Sequence, residues 1–427
     1  NVSFSPNLKS QQVWSAFYIY ALLCHHHAQG TRLVVPHEGE QHKCFNAAMK
    51  QRNLYIVNSG QDELPHYCDL CMRMWRKTDS TGKETDKCQM AVSDGITIGH
   101  YICKTFRCTK APISTREPWC EQCKKENLAD LCTVVGCNWP IVMTVQTKKT
   151  CDDEEHRTME VQSSDRAKLM FALKSRLARS RTSRPEATVD DTALDGGDGG
   201  ILDDTVDWFD LDEDGNINHK PTANPTNIGV PDAGPKQLAE AGAHAKKPKR
   251  MRILLGRRRS YCEVTIVHPC GVILARSTFY GAEAVSNVLI MVKKVFSLPG
   301  AQKPDFWVYD TACEAKQQAM GDPWWDDVRM VVDVWHLLNK HKTTHEFCQK
   351  HCNPAAFPEL LKDEDEGKGK GKGWWFNTSV AEQINVWLGS FHAIVREMSP
   401  VRYNFFLDEM VRLHNIEVIA NLKAKGH

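Results

Sequence analysis

Residues 261–279 read YCEVTIVHPCGVILARSTF. Two runs rich in Val, Ile, Thr and aromatic residues, joined through His-Pro-Cys-Gly, predict a β-hairpin. Working outward towards the C-terminus, GAEAVSNVLIMVKKVF (281–296) carries apolar residues at helical spacing, and FWVYD (306–310) is a short apolar strand. A further helix is expected around Cys313 to Met320, and VRMVVDV (328–334) supplies another strand. Antiparallel strands followed by alternating helix and strand define an α/β domain, which we bound at 252–427. Its opening strand is expected at or before MRILLGRRR (251–259).

Upstream of this domain, residues 184–251 are rich in Gly, Asp, Ala and Pro without apolar periodicity, as in a disordered acidic-to-basic linker. The overall charge of +1 hides the change of sign within it. Residues 190–214 hold eleven acids and no Lys or Arg, whereas Lys246, Lys247, Lys249, Arg250, Arg257, Arg258 and Arg259 crowd together just before or at the domain start. That basic run suits nuclear import or phosphate contact, although solvent-facing charge is its simplest reading. DLDEDGNIN (210–218) imitates a calcium loop at Asp210, Asp212, Asp214 and Gly215, but position twelve is Pro221 instead of a bidentate Glu, so it is rejected. Residues 158–183 read as a basic helix. Residues 1–52 form an N-terminal helical segment in which Val13, Trp14, Phe17, Tyr18, Ala21 and Leu22 make a packing stripe, and His25 to His27 sit at a solvated helix end.

Between these segments, residues 53–157 hold most of the cysteine. The chain has 17 Cys and 18 His, and ten of the cysteines fall between Cys68 and Cys151. A polar opening, NVSFSPNLKSQQ, and the lack of a membrane-length apolar run favour a reducing compartment with thiolates on zinc over a disulfide scaffold. Two cysteines separated by two residues can chelate one ion from a tight turn. Cys68/Cys71 and Cys120/Cys123 are such pairs, and Cys88, His100, Cys103, Cys108, Cys132, Cys137, Cys151 and His156 bring the ligands to twelve, enough for three closed sites. One grouping gives Cys103, Cys108, Cys120 and Cys123 one ion and Cys132, Cys137, Cys151 and His156 another. Cys68 and Cys71 can then recruit Cys88 with His66 or His100, and interleaved pairing stays open. Within the C-terminal domain, His336, His341, Cys348 and Cys352 suit one more structural zinc, with His345 and His351 as alternative ligands.

Carboxylates converging at one end of a sheet can hold two Mg²⁺ for phosphodiester chemistry. Asp310 ends the strand FWVYD, and Glu382 lies in FNTSVAEQINVW, where Thr378 or Ser379 can cap its helix. On residue chemistry alone, an ordinary strand-end Asp and a surface Glu remain the simpler reading. Beyond Glu382, Trp387, Phe391, Phe405, Phe406, Leu407, Met410 and Val411 are expected to pack helices on the sheet.

NSGQDELPHYCDLC, AVSDGITIGHYICKTFRCTKAP, WCEQC, LCTVVGC and TCDDEEH, across residues 53–156, are similar to the cysteine clusters that accompany Kyakuja–Dileera–Zisupton (KDZ) transposases. VYDTACEAK, VVDVWHLLNKHKTTHEFCQKHC and WWFNTSVAEQINVWLGSFHAIVREMSPVRYNFFLDEMVRLHN, within 252–415, resemble the transposase domain of the same class. The resemblance implies a ribonuclease-H-like fold, which the element order also fits. It further implies Asp310 and Glu382 as the second and third acids of a DDE triad with Mg²⁺, structural Zn²⁺, DNA as partner and the nucleus as compartment. A homo-oligomer is compatible with it, and neither a membrane nor a small-molecule substrate is expected.

The first acid is the difficulty, because MRILLGRRR contains no carboxylate and the nearest substitute is Glu263. Three readings follow: a DDE enzyme in which Glu263 compensates, a catalytically degenerate DNA- or chromatin-binding descendant, or a cysteine cluster that recognises protein. The acid on the opening strand separates the first two.

Overall fold

The computed structural model describes residues 9–36, 40, 43–77, 84–114, 116–165, 207–211, 217–220, 249–256, 258–341, 344–363 and 372–427. They fall into two compact units: 1–100 with 260–427, and 101–259. Unit 2 therefore interrupts unit 1 in sequence.

Unit 1 is built on a mixed sheet. Its strands are β1 (Met72–Lys77), β2 (Glu84–Ile96), β3 (Cys262–Val267), β4 (Ile273–Phe279), β5 (Phe306–Val308) and β6 (Arg329–Val331). The spatial order is β6-β5-β2-β3-β4, with β1 paired to the early part of β2. β3 and β4 form the expected hairpin, closed by Gly271 at φ +96°, which an L side chain rarely adopts. β3 is antiparallel to β2, whereas β5 and β6 run parallel to it. A parallel neighbour needs a crossover connection, and the helix Val285–Val295 lies in the chain between β4 and β5.

The opening strand is where sequence and structure part. Residues 251–259 do not enter this sheet: Lys249–Ile253 pairs with Asp207–Leu211, and Arg258–Arg259 with Tyr101–Ile102, all within unit 2. The central position belongs to β2, whose fully buried Met90 and Ala91 outcompete the basic run for a place between two strands. Asp207–Leu211, Ile217–Lys220 and Lys249–Ile253 form a three-stranded antiparallel sheet inside the stretch expected to be a linker. The rest of that linker lies outside the described residues. So does the expected basic helix beyond residue 165, although residues 154–165 are helical.

Helices cover both faces of the unit 1 sheet. One face packs Val264, Ile266, Leu274 and Trp307 against Val288, Val292 and Ala315; the other packs Met90, Val92 and Val308 against Ile384, Leu388, Phe406, Leu407 and Val411. Trp387, Phe391 and Met410 border the second core as expected. Phe405 instead joins Tyr18, Ala21, Leu22 and Met49 of the N-terminal helices Ser10–Ala28 and Asn46–Ser59, beside a buried Arg52–Glu409 ion pair at 2.6 Å. Among the described residues no helix is long and apolar enough to cross a membrane.

Unit 2 has far less apolar material. Its two buried clusters consist of Cys103, Cys120 and Cys123 in one, and Cys132, Cys151, Val134, Met159, Met251 and Ile253 in the other. Cysteines are themselves much of the core, so what joins their sulfurs largely decides whether this unit folds.

Candidate metal centres

Asp94, Asp310 and Asp333 occupy equivalent places on three neighbouring parallel strands. Val92 aligns with Val308, and Val308 with Val331; each aspartate stands two residues further along its own chain, so strand alternation returns it to the same face. Glu382, in the helix Val380–Gly389, completes a cleft lined also by His336 and Thr378, with no Lys or Arg among its described lining residues. A carboxylate thus stands on the central strand β2, whereas 251–259, the expected opening strand, lies in unit 2.

Each acid is held differently. Asp94 accepts the Gly95 backbone N–H at 2.8 Å and the Asn385 amide at 2.7 Å. Burial, reinforced by the charges of Asp310, Glu283 and Glu382, raises its pKa well above the usual carboxylate range. Asp310 accepts the Thr311 N–H at 3.1 Å. Asp333 has both oxygens engaged: Oδ2 takes the Trp335 and His336 N–H groups and faces His336 Nδ1, while Oδ1 takes the Thr378 and Ser379 hydroxyls at 2.7 and 2.8 Å. Burial works against its charge, but these hydrogen bonds outweigh burial and lower its pKa. The hydroxyls expected to cap the Glu382 helix are therefore spent on Asp333, and that helix has no side-chain cap. Burial also raises Glu382, whose carboxylate lies 3.3 Å from His336 Nδ1.

Glu283 is a further acid that sequence reading passed over. Its carboxylate packs onto Gly95, where a Cβ would collide with it, and accepts the Tyr309 hydroxyl at 3.1 Å. Burial, then the neighbouring Asp310, pushes its pKa up to about 7. Oxygen donors with a single imidazole, and no cation among the described lining residues, fit hard divalent ions such as Mg²⁺ or Mn²⁺.

Glu263, the proposed substitute acid, serves elsewhere. It is fully buried, paired to Arg276 at 2.9 Å, and accepts the Thr278 and Tyr403 hydroxyls. Arg276 is shared with Asp408 at 2.8 Å, so Glu263 neutralises a buried guanidinium.

Four Cys/His tetrads bring their donor atoms within 4.8 Å of one another. In unit 2, Cys103, Cys108, Cys120 and Cys123 converge, with Cys108 Sγ 3.8 Å from Cys120 Sγ and backbone N–H groups aimed at the Cys103 and Cys120 sulfurs. Cys132, Cys137, Cys151 and His156 form the second tetrad, with His156 Nδ1 3.2 Å from Cys151 Sγ. Gly136 at φ +89° makes the turn before Cys137, and Glu160 receives the N–H groups of Lys148 and Lys149 and the Thr150 hydroxyl, fixing the approach to Cys151. Burial pushes the Cys132 thiol up to about 12, so a cation that stabilises the thiolate has much to offset.

The two tetrads of unit 1 differ from the expected ones. Cys68 and Cys71 meet His66 and Cys270, not Cys88 or His100. Cys68 packs with one face of the sheet and Cys88 with the other, and His100 is buried with its ring 4.8 Å from that of Tyr403. Cys270 comes from the β3–β4 turn, 204 positions from His66, where no local spacing can reveal it. In the second tetrad Cys313 and His345 join His341 and Cys348. His336 belongs to the acid cleft, and Cys352, though buried, stands outside the tetrad.

Of the basic run, Lys246, Lys247 and Arg257 lie outside the described residues, and Lys249 and Arg250 are described only as backbone. Arg258 is buried and donates to the carbonyls of Cys103, Thr105 and Cys108, so it braces the first tetrad and is not an exposed phosphate contact. Arg259 lies over the Tyr101 ring at 4.0 Å and donates to its hydroxyl at 2.7 Å.

The thiolate and imidazole tetrads define a cysteine-cluster protein with several sites fit for structural zinc. Residues 92–162 match the family described as the CxC6 like cysteine cluster associated with KDZ transposases. The chain thus carries a KDZ-transposase-associated domain, and the match begins beyond the Cys68/Cys71 pair. No curated protein and no solved structure gives a significant match.

Proposed function

We propose that unit 1 is a ribonuclease-H-like DNA-processing domain of the DDE type, with Asp94, Asp310 and Glu382 as its metal-holding triad and unit 2 as its zinc-stabilised recognition module. The observation that carries this reading is the placement of Asp94 and Asp310 at one level on neighbouring parallel strands, facing Glu382 in a cleft whose described lining lacks Lys and Arg. Strand order β6-β5-β2-β3-β4, with β5 parallel and β3 antiparallel to the central β2, supports the fold assignment. Asp94 offers a carboxylate where the degenerate reading counted none, and this favours the catalytic reading over it.

Mg²⁺ held there would polarise the phosphodiester and activate the attacking oxygen. The chain itself orients the holders. Asn385 and the Gly95 N–H fix the Asp94 carboxylate, and His336, anchored on Asp333, sets the position of Glu382. Asp333, His336 and Glu382 bring their ligand atoms within 4.8 Å of one another. Because five donors already engage Asp333, we assign it as the anchor of this group and Asp94, Asp310 and Glu382 as the metal holders. DNA is the proposed substrate and the nucleus the proposed compartment, in keeping with the transposase association of unit 2.

The test is nicking of supercoiled plasmid and strand transfer from oligonucleotides with Mg²⁺ or Mn²⁺. Asp94→Asn, Asp310→Asn and Glu382→Gln should each abolish both reactions. Activity that persists in all three variants overturns the assignment.

A further inference from the structure

The imidazole of His341 stands between two centres. Its Nδ1 lies 3.3 Å from Cys348 Sγ, inside the Cys313–His341–His345–Cys348 tetrad, and its Nε2 lies 2.9 Å from the backbone carbonyl oxygen of Asp310. We propose that this tetrad is a zinc site whose task is to fix the backbone of Asp310 through His341.

A neutral imidazole carries its proton on one nitrogen or the other. Nε2 faces a carbonyl oxygen, which only accepts, so the contact is favourable when Nε2 holds the proton and repulsive when it does not. Ligation through Nδ1 selects the favourable tautomer, because the metal takes the lone pair on Nδ1 and the proton must reside on Nε2. The ion thereby locks a donor onto the residue that presents a triad carboxylate. A second tie reinforces the first: Cys313 is three residues beyond Asp310, in the first turn of the helix Ala312–Ala319, so one metal would grip the segment from both sides.

The surroundings suit a closed structural site. Cys348 is fully buried and Cys313 nearly so, while His345 is exposed and completes the set from the solvent side. Four protein ligands leave no open position, so the site positions and does not catalyse.

The proposal deepens the reading of Asp310 as a metal holder, and two readouts on the full chain keep them apart. Zinc per chain is counted by elemental analysis, and Mn²⁺ binding at the acid cleft is titrated by electron paramagnetic resonance. Cys313→Ser and Cys348→Ser should each lose one zinc, whereas Cys352→Ser, a buried cysteine of the same region outside the tetrad, should lose none. Loss of zinc should weaken Mn²⁺ binding about tenfold, the lower end of what outer-shell partners contribute to metal affinity. His345→Ala, altering an exposed ligand, should reproduce both effects if the buried variants fail to fold. Equal zinc loss in Cys352→Ser, or none in the tetrad variants, overturns the ligand set. Zinc loss with unchanged Mn²⁺ affinity overturns the coupling to Asp310. Absence of Mn²⁺ binding in the unaltered protein overturns the acid-cleft reading and the coupling with it, while the zinc counts still decide the ligand set.

Discussion

Unit 2 gathers its soft donors into two tetrads, whereas unit 1 adds to two tetrads of its own a cleft of hard donors, and the unit 2 tetrads and that cleft stand in opposite relation to their surroundings. In unit 2 the sulfurs of Cys103, Cys120, Cys123, Cys132 and Cys151 form much of the buried core, so the ligands and the core are the same atoms. In unit 1 the sheet is packed on both faces by aliphatic and aromatic side chains, and the carboxylates of Asp94, Asp310 and Glu382 are additions to a core that does not need them. Metal at a thiolate tetrad is therefore folding free energy, whereas the acid cleft holds a buried carboxylate, Asp94, whose charge folding penalises. Removing metal or ligand should affect the two units in contrary directions.

Zinc removal provides the largest expected effect. Apparent zinc-binding energies in small finger modules are on the order of 10 kcal/mol, more than the sparse apolar clusters of unit 2 can supply. Treatment with a strong chelator should expose residues 101–165 to limited proteolysis while residues 260–427 stay resistant. Persistent protection of unit 2 after elemental analysis confirms zinc loss would erase the contrast.

Asp94→Asn tests the opposite sign. Both reactions should be abolished, a fall of at least roughly a thousandfold, as expected for losing several kcal/mol of metal-borne transition-state stabilisation. The metal-free protein should nonetheless melt higher than the unaltered one at neutral pH. Its raised pKa means that folding penalises the ionised carboxylate, so a contribution available below the unfolded pKa is lost once the pH passes the folded value. Asparagine cannot ionise and escapes that penalty. A lower melting temperature would mean that Asp94 is a structural acid and would move it to the unit 2 side of the comparison.

The same contrast explains what could be read from the chain. The two unit 2 tetrads lie within Cys103 to His156, so sequence spacing alone proposes their ligands. The hairpin, the helix after it and the strands ending near Asp310 and Asp333 were legible from apolar patterning. Asp94 was not, because residues 101–259 separate β2 from its partner β3, and AVSDG sits among cysteines that claim the stretch for a different domain. Cys270 and Cys313 were hidden likewise. Cys270 reaches its tetrad from a turn far along the chain and Cys313 from the helix after Asp310, and each lacks a cysteine or histidine partner of its tetrad at short spacing that would mark it as a ligand.

Glu263→Gln separates a buried structural acid from the cleft acids two strand positions away. It breaks one side of a fully desolvated pair with Arg276, and such losses run to roughly 3–5 kcal/mol. Chemical denaturation of unit 1 should show that deficit, with Mn²⁺ affinity at the cleft unchanged under conditions where the variant is folded. Weakened Mn²⁺ binding in the folded variant would return Glu263 to the metal site and dissolve the division between structural and functional carboxylates.

Arg258→Lys should have the smallest effect, and none on DNA. The guanidinium serves three carbonyls around the Cys103–Cys123 tetrad at once, a fork that a lysine ammonium cannot reproduce. Unit 2 should lose roughly 1.5–3 kcal/mol, the range for hydrogen bonds to a charged group. The positive charge is retained, and the native side chain is buried away from phosphate, so the slope of log affinity for DNA against log salt should not move. Replacing both Lys246 and Lys247 with Ala should instead flatten that slope by about two if both touch phosphate. A flattened slope from Arg258→Lys, with the zinc count intact, would show that the basic run acts as one phosphate-binding surface and that Arg258 is not reserved for the cysteine cluster.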